Sequence, residues 1–136
     1  MEMRKAGNSG LMLSRLGLGT MTWGRDTDEH EAADQCRAYL DAGGNFLDTA
    51  NTYGDGDSER VIGGLVGTLV NRDELVIATK SGLSFPDGQR NVDASRQSLI
   101  SELDKSLARL GSEFVDIWQI HAWDSNTPLD ETLAAL

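Results

Sequence analysis

The chain has 136 residues, and its 22 acidic side chains outnumber 12 Lys and Arg for a formal charge of −10. That balance argues against a nucleic-acid backbone or an anionic membrane as partner, and its one cysteine, Cys36, excludes an internal disulfide and a zinc site of two or four thiolates. No apolar run approaches the roughly 18 residues of a membrane span, and Met1-Glu-Met-Arg-Lys5 lacks a signal-peptide core, so the expected compartment is the cytoplasm.

In chain order, Met3–Ala6 and Leu11–Leu13 flank the turn-forming cluster Gly7-Asn8-Ser9-Gly10 and read as an N-terminal hairpin. Arg15 to Gly19 reads as a short, glycine-rich strand. Helix signals run from Asp26 to Ala42: an acidic first turn, apolar Ala32, Ala33, Cys36, Tyr39 and Leu40, and Gly43-Gly44 as a stop. Asn45 to Asp48 is the next strand. Asp57 or Ser58 is the expected cap of a helix whose apolar face is Val61, Ile62, Leu65, Val66 and Leu69. Leu75 to Thr79 reads as a buried strand. Asp93 to Leu110 reads as a helix with Leu99, Leu103, Leu107 and Leu110 in register, and Phe114 to Ile120 as a fourth strand. Asp87-Gly88 and its neighbours read as plain loop. Thr127-Pro128-Leu129-Asp130 reads as a cap, a proline at the first helical position and an acidic third residue, opening a helix that reaches only Leu136. That short helix leads to the expectation of a chain cut within an element. Strand and helix alternate four times, the pattern of a parallel sheet.

Each strand runs into polar chemistry at its C-terminal end. The first ends in Gly19-Thr20-Met21-Thr22-Trp23, the second in Asp48 with Tyr53 five residues on, the third in Lys80 and the fourth in His121. In parallel α/β barrels that face carries the site, so four strands of one sheet would bring Asp48, Tyr53, Lys80 and His121 to one rim. Taken singly, each has a structural reading: a turn aspartate, a half-buried loop tyrosine, an exposed lysine, a hydrogen-bonded histidine. Their coincidence at matching positions is the signal. His30 has no such context and reads as a solvated helix residue. Gly17-x-Gly19-x-x-Thr22 lacks the third glycine of a dinucleotide fingerprint. Asp55-Gly-Asp57-Ser-Glu59 carries Arg60 where a calcium loop needs glycine, and Gly82-Leu-Ser84-Phe-Pro86 is not a nucleophile elbow. No metal ligand set emerges.

Leu16-Gly-Leu-Gly-Thr-Met-Thr-Trp-Gly24 resembles the aldo-keto reductases, as does Gly44-Asn-Phe-Leu-Asp-Thr-Ala-Asn-Thr-Tyr-Gly54 followed by Ser58-Glu59. Leu75-Val-Ile-Ala-Thr-Lys80, Ser106-Leu-Ala-Arg-Leu-Gly111 and Asp116-Ile-Trp-Gln-Ile-His121 are similar to the same family. The resemblance implies a (β/α)8 TIM barrel, of which residues 1–136 would form one partial domain: the N-terminal β-hairpin and the first four β/α units. It implies reduction of aldehydes or ketones by NADPH, or NADH, with Tyr53 as general acid, Lys80 and Asp48 as its supporting ion pair, and His121 orienting the carbonyl. It further implies that Gly19, Thr20, Met21 and Asp48 line the nicotinamide end of the cofactor, while Trp23 and Trp123 wall the substrate pocket or sit in the core.

The resemblance fits elementary chemistry, because a free tyrosine titrates near ~10 and needs a neighbouring cation to act as a proton switch near neutrality. A barrel needs eight strands and roughly 250 residues, and its phosphate site often follows strands seven and eight. The expected partners are therefore a small carbonyl substrate, a weakly held cofactor, and other copies of the chain through open sheet edges. Two other classes remain: a Schiff-base aldolase with Lys80 as nucleophile and Tyr53 as relay, and a non-catalytic regulatory or binding protein on the same scaffold.

Overall fold

The computed structural model describes all 136 residues. Strands β1 (Met3–Lys5) and β2 (Met12–Ser14) pair antiparallel, with Met3 opposite Ser14. Asn45 anchors this hairpin: its side chain accepts from Ser14 N at 2.7 Å and donates to Met12 O at 3.0 Å. Because Asn45 immediately precedes a parallel strand, the hairpin lies at the N-terminal end of the sheet, away from the rim.

That sheet has four strands in sequential order: β3 (Leu18–Gly19), β4 (Phe46–Asp48), β5 (Val76–Ser81) and, past a small hairpin, Ile117–Ile120. The hairpin pairs β6 (Leu83–Ser84) with β7 (Asn91–Val92) around a turn at Pro86–Gly88, so Ile117–Ile120 is β8. All sheet pairings are parallel, with Gly19 beside Asp48, Asp48 beside Ala78 and Lys80 beside Gln119. Successive side chains in a strand point to opposite faces. Leu47 and Ile77 therefore face the helices and join the core with Trp23, Ala32, Cys36, Ile62 and Leu110, while Asp48 and Lys80 project from the other face.

The helices are α1 (Glu29–Asp41), α2 (Asp57–Leu65), α3 (Arg96–Leu110) and α4 (Leu129–Ala135). Their starts differ from the sequence expectation for local reasons. Asp28, not Asp26, caps α1 by accepting from His30 N and Glu31 N, both at 2.9 Å. Gly56, at φ +90°, stands where Asp57 or Ser58 was expected to cap α2, and those two lie within its first turn. A Cβ on Gly56 would come within 2.6 Å of Arg109 Cδ, so the glycine admits α3 as well as the turn. After Leu65 the backbone extends at Val66, and Val66 and Leu69 reach the core from outside the helix. Ser95, rather than Asp93, caps α3, and left-handed Gly111 ends it. Thr127 does not cap α4: its hydroxyl donates to Asp124 Oδ2 at 2.7 Å. The β6–β7 hairpin was hidden in the stretch read as loop, because its two-residue strands are too short for an alternation to show. The fourth strand starts at Ile117, since Phe114 lies outside it, half exposed beneath the Arg72 guanidinium at 4.1 Å.

Candidate active site

Lys80 is the centre of the rim. Its Nζ donates to Asp48 Oδ2 at 2.7 Å, to the Thr49 carbonyl at 2.9 Å and to Tyr53 Oη at 3.3 Å. The register explains the first contact: Asp48 stands beside Ala78, two residues before Lys80 on the same face, so the long lysine side chain lies back along the strand. Tyr53 returns to the rim through the tight turn Tyr53–Gly56, in which Gly54 and Asp55 adopt left-handed conformations at φ +58° and +52°. Glycine takes that conformation freely, whereas Asp55 carries a modest strain. His121 hangs from the end of β8, where its backbone N–H donates to Ser81 O at 2.9 Å. Its ring meets that of Tyr53 edge to face, with centroids 5.8 Å apart. The four expected rim residues are therefore neighbours in space.

His121 Nδ1 is buried and has no hydrogen-bond partner. Burial, then the charge on Lys80, push the imidazole below its usual titration range, and Asp48 opposes the shift. An imidazole so placed is uncharged at neutral pH and carries one N–H.

The remaining expected residues divide. Gly19 is exposed, and nothing lies within 4 Å of the place a Cβ would take, so a flat ring has access to the backbone there. Met21 is 54% exposed. Thr20 is different: it is fully buried, and its hydroxyl is spent on Ser58 and the Asp48 carbonyl, so its side chain braces the rim instead of facing a ligand. Trp23 is 0% exposed, a core residue whose Nε1 donates to Gln35 at 2.9 Å; packing under α1 removes it from any pocket wall. Trp123 is 74% exposed and borders an apolar cavity of about 200 Å³ with Ile120, Ala122, Leu129 and Leu133. The cavity floor is held by Asp124, whose carboxylate accepts from Ala94 N, Thr127 Oγ1 and Asn126 N and is thereby lowered to about 2.

Sequence reasoning missed the support beneath the rim. Glu59 is fully buried and accepts from Thr79 Oγ1 at 2.5 Å and Arg109 Nε at 2.6 Å. Asn51 donates to Leu83 O at 3.1 Å and to Glu102, tying the second strand's loop to the β6–β7 hairpin and α3. The available signal was Ser58-Glu59 followed by an apolar helix face, polar residues at positions that must be buried if α2 packs on both sheet and α3.

Consecutive parallel strands, a hairpin at their N-terminal ends and an ionisable cluster at their C-terminal rim define a segment of a parallel β/α barrel. Residues 15–136 match the Aldo/keto reductase family, and the chain belongs to that family. It is 36% identical over 137 residues to an aldo-keto reductase of Bacillus subtilis (strain 168), covering 97% of this chain and 41% of that protein. It is 40% identical over 144 residues to the L-glyceraldehyde 3-phosphate reductase of Escherichia coli (strain K12), covering 100% and 41%. Its fold matches the holo form of an aldo-keto reductase from Bacillus halodurans with a TM-score of 0.88 and 36% identity, over 99% of this chain and 45% of that one. The chain spans less than half the length of these relatives. No helix is long and apolar enough to cross a membrane.

A nicotinamide cofactor fits the rim at one end only. The open backbone at Gly19 suits a planar, polar ring. Lys80, the cation of the cluster, is committed to Asp48, Thr49 and Tyr53 and offers no ion pair to the cofactor phosphates.

Proposed function

We propose that this chain carries the reacting part of an oxidoreductase that converts small aldehydes or ketones to alcohols with NADPH, or alternatively NADH. Bound beside Gly19, Met21 and Asp48, the cofactor supplies the hydride. The protein's task is the oxygen. As negative charge develops on the carbonyl oxygen, Tyr53 gives up its proton to it and the His121 N–H hydrogen-bonds it. The Lys80 ammonium, 3.3 Å from Tyr53 Oη, stabilises the charge left on the phenol oxygen, and Asp48 keeps that ammonium aimed. Trp123 supplies an apolar wall for the substrate.

The observation that carries this reading is the single ammonium bonded at once to Asp48 and Tyr53, with His121 alongside. The same contacts weigh against a Schiff-base role, because all three protons of Lys80 are committed and no lone pair faces a carbonyl. Borohydride trapping on Lys80 would revive that role. The test of the proposal is Tyr53→Phe in a barrel completed by the second half of a relative: carbonyl reduction drops by about 10²–10⁴ while cofactor binding holds. Turnover within threefold of the parent (about 0.7 kcal/mol) on several aldehydes would refute it. Cofactor binding without any turnover in the parent would favour a regulatory protein.

A further inference from the structure

The ammonium of Lys80 is held by groups from two consecutive residues, the Asp48 carboxylate and the Thr49 carbonyl, and both residues are linked to one buried hydroxyl, Thr49 through its side chain and Asp48 through Thr20. Ser58 lies in the first turn of α2 and is fully buried. Its Oγ is 2.9 Å from Thr49 Oγ1, 2.7 Å from Thr20 Oγ1 and 2.8 Å from the Thr20 carbonyl, to which it donates. Thr20 Oγ1 is in turn 3.1 Å from the Asp48 carbonyl, which also accepts from Thr20 N at 3.0 Å.

Each hydroxyl has one proton, so the directions can be assigned. Thr49 donates to Ser58, Ser58 shares its one proton between the Thr20 hydroxyl and the Thr20 carbonyl, and Thr20 donates to the Asp48 carbonyl. That assignment leaves every hydroxyl with an acceptor. It closes a buried loop across the C-terminal ends of β3 and β4, directly behind the two groups that hold Lys80.

We propose that Ser58 is a positioning residue for Lys80, a role that rests on the reading of Lys80 and Tyr53 as the reacting pair. Ser58 touches neither substrate nor cofactor. It fixes the Thr49 peptide so that its carbonyl points at the ammonium, and through Thr20 it fixes the backbone that carries the Asp48 carboxylate. Without it, the Thr49 hydroxyl is unpartnered in a dry site, and the Thr20 carbonyl keeps only the Trp23 N–H at 3.0 Å. The peptide then turns to recover partners, because a buried unsatisfied group is costlier than a displaced backbone. The Thr49 carbonyl is what the ammonium loses.

The experiment follows the Lys80 ammonium by proton–nitrogen NMR on the 136-residue chain, reading its hydrogen exchange with solvent. Three variants are compared: Ser58→Ala, Thr49→Val, and Ser14→Ala, which removes a buried hydroxyl at the opposite end of the sheet. Exchange at Lys80 accelerates about fivefold or more in Ser58→Ala and Thr49→Val, the factor expected for one lost hydrogen bond. In Ser14→Ala it changes by less than about twofold at a similar loss of melting temperature. Unchanged Lys80 exchange in a folded Ser58→Ala or Thr49→Val chain, or equal acceleration in Ser14→Ala, overturns the proposal. Should Ser58→Ala fail to fold, Thr49→Val decides alone, since valine keeps the shape of threonine. No hydride transfer enters this readout, so a failure of the reductase reading would leave the Lys80 result standing and appear only in the turnover assay.

Discussion

Replacing Arg109 by Met strands the Glu59 carboxylate in the interior. Glu59 is 0% exposed and has two side-chain partners, Thr79 Oγ1 and Arg109 Nε. Methionine keeps much of the arginine stem, which packs under Gly56, and removes the charge and the donor. Breaking a buried pair in this way costs about 3–5 kcal/mol, because an uncompensated charge remains. Arg109 is 18% exposed and partly solvated, which puts the expectation at the lower end, near ~3 kcal/mol. Against a domain stability of about 5–15 kcal/mol that is a large fraction, and the melting temperature should drop by roughly 10 °C. Urea unfolding followed by tryptophan fluorescence measures it, with the double variant Glu59→Leu/Arg109→Met as the control. The double variant should be less destabilised than Arg109→Met alone, since it no longer buries a lone carboxylate. A loss below about 1 kcal/mol in the single variant, the range of exposed pairs, would refute the argument. So would a double variant that is worse than the single one.

Gly56→Ala should destabilise by more than about 1 kcal/mol, because φ +90° and a 2.6 Å approach to Arg109 Cδ oppose any side chain; a melting point equal to the parent would contradict this. His121 titrates below its ordinary value in the folded chain, so its contribution to stability is complete above about pH 6.5 and fades as the pH falls through its folded-state value. Urea midpoints at several pH values should therefore show a decline that His121→Gln flattens, and identical profiles would count against a buried neutral ring. By calorimetry the 136-residue chain should bind NADPH poorly, because Lys80 is committed to Asp48, Thr49 and Tyr53 and each phosphate ion pair it does not make forgoes about 1.5–3 kcal/mol, or one to two decades. Sizing of the same sample should show self-association, since β3 and β8 have unpaired outer edges, and a monomer with micromolar affinity would defeat both expectations.

The amino-acid order alone settled the succession of elements apart from the β6–β7 hairpin, because a strand's alternation and a helix's repeat depend on neighbours a few residues apart. The ends of β4, β5 and β8 were legible for the same reason, and with them Asp48, Lys80 and His121 as members of one rim. What lay beyond reach required contacts between distant residues. Thr20, Trp23 and Trp123 all look like rim residues in the sequence. Only packing under α1 and against Ser58 turned the first two inward and left Trp123 exposed. Gly56 caps α2 because Arg109, 53 positions later, occupies the space above it, and no local propensity encodes that. Ser58 and Glu59 read as the polar start of a helix. They became the braces of the rim once α2 was laid between the sheet and α3, where a hydroxyl or carboxylate cut off from water must find its partners in the protein.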